Sequence, residues 1–495
     1  MSSAGRSEAR TAAQKIFCHT AQAVGAALGM SGLKERCERW FDLAERGSDV
    51  RTELRAGLTT FLTMSYIMLV NPQVLCALTA GNTPPVGAYG NAVVATALSS
   101  ALGSALIGVF ANAPFVVAPG VGLSAYLAYG LVGNGKLTWQ QAMTCCCLSG
   151  IVVCLLALAG GTRVLTRMMP RCIKLSIVAG MGLLIALIGL HSVGLVAADA
   201  NTVVRLGALN SQTGLALGGL LLLSVLEHRK VKGGILLAIV TVAVAEWWRT
   251  DTWPASLVEL PRMTYGAAHN LDWDVGSWPA QPMVTGLFSF LFVAVFDVSG
   301  VTFGMARLAG LASDAAPDLP GKRSSLAVFL STGSTSIAAA AMGCTPCIVG
   351  VESSAGILDG GRSGLVALTA AALFLVSIFF APLFAAVPSV ATSPVLIFIG
   401  AQMVNEATNI DWLRIEEAVP SFLTVAMMPC TFSIGNGIMF GVAASAALWV
   451  TTGQALRDFR RRRGGGDEGS ELKEVGGAHD GGAPKLVAWW GGGIE

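Results

Sequence analysis

Runs of apolar residues, most of them near 20 long, recur in this 495-residue chain from about Gly57 to Val450, and each can cross about 30 Å of hydrocarbon as a helix. That repetition leaves few architectures open, because a segment in hydrocarbon has no water to satisfy its backbone. Composition agrees: 13% of residues are charged and 53% hydrophobic, where a soluble domain carries about 25% charged. Most of the chain is therefore expected to form one membrane domain, with the lipid bilayer as its surroundings. The 59 glycines suit spans that pack backbone to backbone or break within the membrane. The formal net charge of +2 points to no nucleic-acid partner, since in a membrane protein the side on which cations fall matters more than their sum.

Apolar blocks lie near 57–78, 88–110, 113–131, 139–162, 172–194, 211–226 and 232–248. A second set follows near 283–310, 324–342, 345–358, 363–386, 392–407, 415–430 and 432–452. The pattern predicts an all-α polytopic membrane protein with 14 transmembrane segments in two sevens. The positive-inside rule tests the count. With a cytosolic N-terminus, the inner loops hold Arg163, Arg167, Arg171 and Lys174, then Arg229, Lys230 and Lys232, then Lys322 and Arg323, then Arg362. Arg457 and Arg460 to Arg463 place the C-terminus on the same side, while the outer loops hold Lys136, Arg205, Arg249 and Arg262. Both termini are thus expected in the cytosol.

This reading divides the chain into a cytosolic N-terminal segment (1–50), a first seven-segment repeat (51–248), an extracellular connector (249–282), a second repeat (283–453) and a basic, Gly-rich tail (454–495) expected to be disordered. The first 50 residues lack an apolar core of signal-peptide type. Eleven cysteines, Cys145 to Cys147, Cys344 and Cys347 among them, read as small buried thiols. With no His or second Cys pair to complete a zinc site, neither a metal nor a disulfide framework is expected.

Seven is odd, so two halves with a shared fold must lie in the membrane in opposite orientations, as inverted repeats. Weak echoes support this. Phe115-Val-Val-Ala118 followed by Pro119-Gly-Val-Gly122 resembles Cys347-Ile-Val-Gly-Val351 followed by Glu352-Ser-Ser-Ala-Gly356. Each is a short β-prone run and then a helix start, Pro119 suiting a first turn and Ser353 a cap. The third and tenth segments are therefore expected to break into short strands and half-helices, whose N-terminal amides and positive dipole ends meet at the midplane.

A carboxylate at mid-bilayer is costly, by roughly 2.5–3.5 kcal/mol on insertion scales, so an acid there points to function. Two qualify: Asp297 in the eighth segment and Glu352 at the break of the tenth. Neither has an obvious Lys or Arg at comparable depth; Arg307 lies about three turns beyond Asp297. A carboxyl group poised between a proton and a hydrogen-bonded ligand lets the two loads move together, so the proton is the expected coupling ion and no other cofactor is implied. A flat solute with ring N–H donors and carbonyl acceptors fits two acids and exposed backbone amides. Asn71, His191 and Asn436 sit close to expected span ends and read as structural.

At these residues the chain resembles the AzgA-like hypoxanthine/guanine/adenine permeases, a branch of the nucleobase–cation symporter 2 group. The matching stretches include Arg51 to Pro72, Ala118-Pro-Gly-Val-Gly-Leu-Ser-Ala-Tyr126, Phe296-Asp297, Val351-Glu-Ser-Ser-Ala-Gly356, Gly360-Gly-Arg-Ser-Gly-Leu365 and Met428 to Gly437. The resemblance implies core and gate domains, an elevator-like step, a homodimer and proton symport of purine nucleobases, with the plasma membrane as the default location. It implies that Asp297 binds the purine and that Glu352 and Gly122 stand at the family's matching positions. Three positions depart from the family pattern: Ser124 for Asn, Ala294 for an acid and Val298 for Thr. The candidate substrate-binding set is Asp297, Glu352, Ser353 and Val351 with Ala118, Pro119, Gly122 and Ser124; Asp297 and Glu352 also couple the proton.

An anion transporter of the same inverted-repeat fold is the rival reading, carrying sulfate, bicarbonate or a carboxylate between the half-helices, but two acids would repel such a ligand. A membrane enzyme would want a nucleophile–base pair or a metal cluster, and the five histidines form no ligand-spaced group. No enzymatic activity is expected.

Overall fold

Each apolar block folds as a helix, or as a short strand leading into a short helix, because those are the forms in which a backbone can satisfy itself away from water. The computed structural model describes residues 35–36, 38–76, 88–162, 169–199, 202–254, 256–260, 271–274, 276, 278–311 and 325–452. Arg163, Arg167, Arg262, Lys322, Arg323, Arg457 and Arg460 to Arg463 lie outside these residues, as does the 454–495 tail. The chain divides into a unit that ends at Val442 and a second that starts at Ala443, whose described residues finish the last helix.

The order in the first half is α1 (Val50–Met64), α2 (Ile67–Cys76), α3 (Ala88–Leu106), β1 (Val117–Pro119), α4 (Val121–Ala125), α5 (Trp139–Leu158), α6 (Arg171–Ser192), β2 (Val196–Asp199), β3 (Val203–Leu206), α7 (Ser211–His228) and α8 (Gly234–Thr250). The second half holds α9 (Ala280–Leu308), α10 (Ser325–Ala341), β4 (Cys347–Val349), α11 (Ser353–Leu358), α12 (Gly364–Ser377), α13 (Ala381–Ala385), α14 (Ser389–Val404), α15 (Ile415–Thr431) and α16 (Ile434–Thr451). α1 and α2 form one kinked span. Among the described residues, seven helices are long and apolar enough to cross a membrane, so this is a multi-pass membrane protein. Local chemistry sets several ends: a capping box of Thr138 and Gln141 starts α5, and Asn210 accepts from Thr213 N at the start of α7.

Two features of the helix layout differ from the sequence reading. α1 begins at Val50, seven residues ahead of the apolar block, because an amphipathic first turn with buried Glu53 extends it. Between α6 and α7, where the sequence suggests only a loop, β2 and β3 form an antiparallel hairpin. Its turn is held by Thr202 N donating to Asp199 Oδ1 at 3.1 Å.

The helices pack in two groups. α6, α7, α8, α14 and α15 lie against one another, while α1 to α5, α9, α10, α12 and both broken segments pack together. Within each group backbones come close. A methyl carbon added to Gly182 of α6 would lie 2.7 Å from Gly400 O of α14, and one added to Gly108 2.8 Å from Gly364 O at the head of α12. No larger residue fits these crossings without displacing a helix.

One end of the bundle gathers charge. Glu53 accepts from Arg362 N, Ser363 N and Ser363 Oγ at 2.9, 3.1 and 2.7 Å, which anchors the start of α12 to α1. Nearby, Asp359 follows α11 and meets Lys232 Nζ at 2.7 Å, with Thr59 Oγ1 at 2.8 Å and Arg55 Nε at 3.6 Å. Burial acts to raise the Asp359 carboxyl, but the hydrogen bonds from Lys232 and Thr59 and the charges of Lys232 and Arg55 hold it below the ordinary carboxylate value. Lys232, two residues before α8, belongs to the first group; Asp359 belongs to the second.

Gly182→Ala should lower the midpoint of thermal unfolding in detergent, since overpacking a close crossing costs about 1–3 kcal/mol. Gly218→Ala, where no atom lies within 4 Å of the added methyl, should hold or raise the midpoint by helix propensity. Equal midpoints for the two variants would contradict the packing account.

Candidate functional site

Two chain breaks meet inside the bundle. Short runs rich in Val and Ile favour extended backbone, and β1 pairs antiparallel with β4: Val117 opposite Val349, Ala118 opposite Ile348, Pro119 opposite Cys347. The ladder extends past both strands, with Gly120 N donating to Pro346 O at 3.2 Å and Gly350 N to Val116 O at 2.9 Å. Ser353, fully buried, adds a side-chain tie, its hydroxyl accepting from Val116 N at 3.0 Å. Because the strands are antiparallel, α4 and α11 leave the crossing in opposite directions.

The two helix heads offer different chemistry. In α4 the first amide bonded within the helix is Ser124 N, to Gly120 O at 2.9 Å, so the N–H groups of Val121, Gly122 and Leu123 have no acceptor in their own helix. The start of α11 is tighter. Ser353, Ser354 and Ala355 donate to the carbonyls of Gly350, Val351 and Glu352 at 3.1, 3.1 and 3.0 Å. That side presents a carboxyl rather than amides.

Asp297 comes from the middle of α9, which packs against both β4 and α11. The residue is half-buried, and its carboxyl takes no hydrogen bond among the described residues and lies within the electrostatic reach of Glu352. Ala294 and Val298 on the same helix are buried. Glu352 Oε1 accepts from the Tyr66 hydroxyl at 2.5 Å, and Tyr66 is 4% exposed at the kink between α1 and α2. Lys174, in the first turn of α6 rather than in the loop where its charge alone would put it, has its ammonium 5.9 Å from the centre of the ring of Phe296, the residue before Asp297. Arg307 instead lies over Phe303.

The structure brings all eight candidate residues to this crossing. Ala118 and Pro119 belong to the strand pair, so Pro119 ends β1 rather than opening the helix, which starts at Val121 with Gly120 at its cap, and Val351 is half exposed beside Glu352. Gly122 turns toward α6, where an added methyl would lie 3.4 Å from Met181 Sδ. Ser124 is fully buried, its hydroxyl donating to Asn71 Oδ1 and lying 2.6 Å from Thr345 Oγ1. Sequence reasoning missed Tyr66 and Thr345 and placed Asn71 near a span end. With α1 starting at Val50, Asn71 instead lies fully buried beside the breaks. The signal was present, since Tyr66 and Asn71-Pro72 interrupt an otherwise apolar run. Among the described residues, no group of three His, Cys, Asp or Glu could hold a metal.

The profile of the Permease family matches residues 51–448. The adenine permease AdeQ of Escherichia coli is 35% identical over 418 residues, covering 84% of this chain and 91% of that protein. The guanine/hypoxanthine permease PbuO of Bacillus subtilis is 36% identical over 408 residues, 81% of this chain and 92% of its own. Among solved structures, the transmembrane domain of the cyanobacterium bicarbonate transporter BicA superposes with a TM-score of 0.58 at 16% identity, covering 80% of this chain and 97% of that domain. At that identity the likeness is one of fold.

Tyr66→Phe removes a donor from a carboxyl in a buried setting, a loss of about 1–3 kcal/mol. Thermal unfolding of purified protein should shift down by a few degrees, and an unchanged midpoint would mean that the hydroxyl contributes nothing there.

Proposed function

Since the chain belongs to the Permease family, we propose that it imports purine nucleobases such as adenine, guanine and hypoxanthine by proton symport. One observation carries the reading: the Asp297 carboxyl, without a hydrogen-bond partner among the described residues, faces the field of Glu352 where two broken segments cross. A purine ring N–H donates to a carboxylate, and its carbonyl or ring nitrogen accepts from amides such as those at the head of α4. A proton held between the two acids relieves the repulsion of like charges. Proton and base are then bound together. The adenine and guanine/hypoxanthine permeases to which the chain is similar support this substrate class.

The movement belongs to the same proposal. Fourteen transmembrane segments form two inverted repeats, 51–248 and 283–453. The group holding both breaks is the core, and the group of α6, α7, α8, α14 and α15 is the gate. The core carries its load past the gate in an elevator step, within a homodimer in the plasma membrane with both termini in the cytosol. The activity proposed is transport, not catalysis. A bicarbonate-like anion is the rival cargo, because BicA shares the fold, but two carboxyl groups at the crossing would oppose it.

Asp297→Asn and Glu352→Gln should each cut radiolabelled hypoxanthine uptake at least ~10-fold at equal surface expression, since a hydrogen bond to a charged group contributes about 1.5–3 kcal/mol and 1.4 kcal/mol is a factor of ten. Near-normal uptake would remove that residue from the site. In cells lacking other purine carriers, uptake should also fall as external pH rises and on adding a protonophore; indifference to both would exclude proton coupling.

A further inference from the structure

The two half-helices are held from the same stretch of chain. Tyr66 reaches Glu352 at the head of α11, and five residues later Asn71 reaches the head of α4. Five helical residues span about 7.5 Å along the axis, so the segment that opens α2 acts as a short ruler between the two sides of the crossing.

The Asn71 end of this ruler is a closed polar node. Asn71 Nδ2 donates to Thr96 Oγ1 at 2.8 Å and to Cys344 Sγ at 3.3 Å, while Oδ1 accepts from the Ser124 hydroxyl. Ser124 also lies 2.6 Å from Thr345 Oγ1, and Gly120 O, where α4 starts, is 3.1 Å from the same hydroxyl. Asn71, Thr96, Ser124, Thr345 and Cys344 are all fully buried. The side chain thus joins four pieces of chain: its own helix, α3, the head of α4 and the residues that lead into β4. A carboxamide suits this task because it combines two donors with an acceptor in one rigid plane. In a low dielectric a fully satisfied network holds its members in one arrangement, and losing a member leaves the rest unpaired.

We propose that Asn71 is a positioning residue for the substrate: its carboxamide sets where the head of α4 stands relative to Glu352, and so the width of the gap that receives the flat ring. This rests on the transport reading above. It assigns Ser124 an indirect part, since its hydroxyl is spent on Asn71 and Thr345, and leaves the ring to the α4 backbone and the two acids. Removing Asn71 lets the α4 head shift without touching any group that contacts substrate. The effect should fall on affinity and selectivity.

The test uses full-length protein in cells without other purine carriers, with uptake normalised to surface protein, and purine binding to the purified protein. Asn71→Ala should raise KM for hypoxanthine about tenfold, leave Vmax per transporter within about twofold and alter the ratio of adenine to hypoxanthine KM. Ser124→Ala should act in the same direction, and the double variant should be no worse than Asn71→Ala alone, because both act through one node. Should Asn71→Ala fail to reach the membrane, the isosteric Thr96→Val frees one amide donor and should raise KM about threefold. A loss of Vmax in proportion to folded protein, with KM and the purine ratio unchanged, would overturn the proposal, as would multiplicative effects in the double variant. Absence of purine binding by the wild-type protein would defeat the transport reading itself, which keeps the two failures apart.

Discussion

Everything at the centre of this protein depends on two three-residue strands whose backbone cannot be helical and cannot be wet. Where the third and tenth apolar blocks break, their amides and carbonyls would each cost several kcal/mol if left unpaired away from water. Pairing β1 with β4 removes that cost, and the flanking bonds of Gly120 and Gly350 carry the ladder past both strands. Once the breaks are joined, the rest follows: two short helices must leave in opposite directions, and Glu352 stands at the head of one of them. The α9 helix that packs on β4 and α11 brings Asp297 beside it.

Joining the breaks also explains why so much polar chemistry clusters there. Ser353 closes the strand pair from one side through Val116 N. Asn71 and Ser124 tie the head of α4 to the residues before β4, while Tyr66 holds the Glu352 carboxyl. What remains without a hydrogen bond among the described residues is Asp297, on a helix of 29 residues rather than on a break. A fixed frame thus surrounds one adaptable acid, the arrangement expected where a ligand must be gripped and released.

Much of this was legible in the sequence because it rests on local chemistry. A β-prone run followed by Pro119, and another followed by Glu352-Ser353, mark the breaks without reference to the rest of the chain. An acid within an apolar block marks Asp297. The missing parts are those whose partners are distant: Tyr66 lies 286 residues from Glu352 and Asn71 53 residues from Ser124. No periodicity pairs residues so far apart, so Asn71 looks like an ordinary polar residue near a helix end. Ser353 illustrates the same limit. The sequence reads it as a helix cap, yet Glu352 takes the cap position of α11 and the Ser353 hydroxyl serves the neighbouring broken segment. Charge alone puts Lys174 in a loop, and only packing places its ammonium over Phe296.

The six-residue α11 has a consequence at its far end. Glu352 stands at its head, and Asp359 follows its last turn, where it meets Lys232 of the other helical group. The Lys232 side chain is 57% exposed, so this contact is screened by dissolved ions, whose Debye length is about 8 Å at physiological ionic strength. Less than two turns of rigid helix separate that screened charge pair from the carboxyl at the crossing. One short helix thus carries an ion-sensitive contact between the two helical groups at one end and the carboxyl of the crossing at the other.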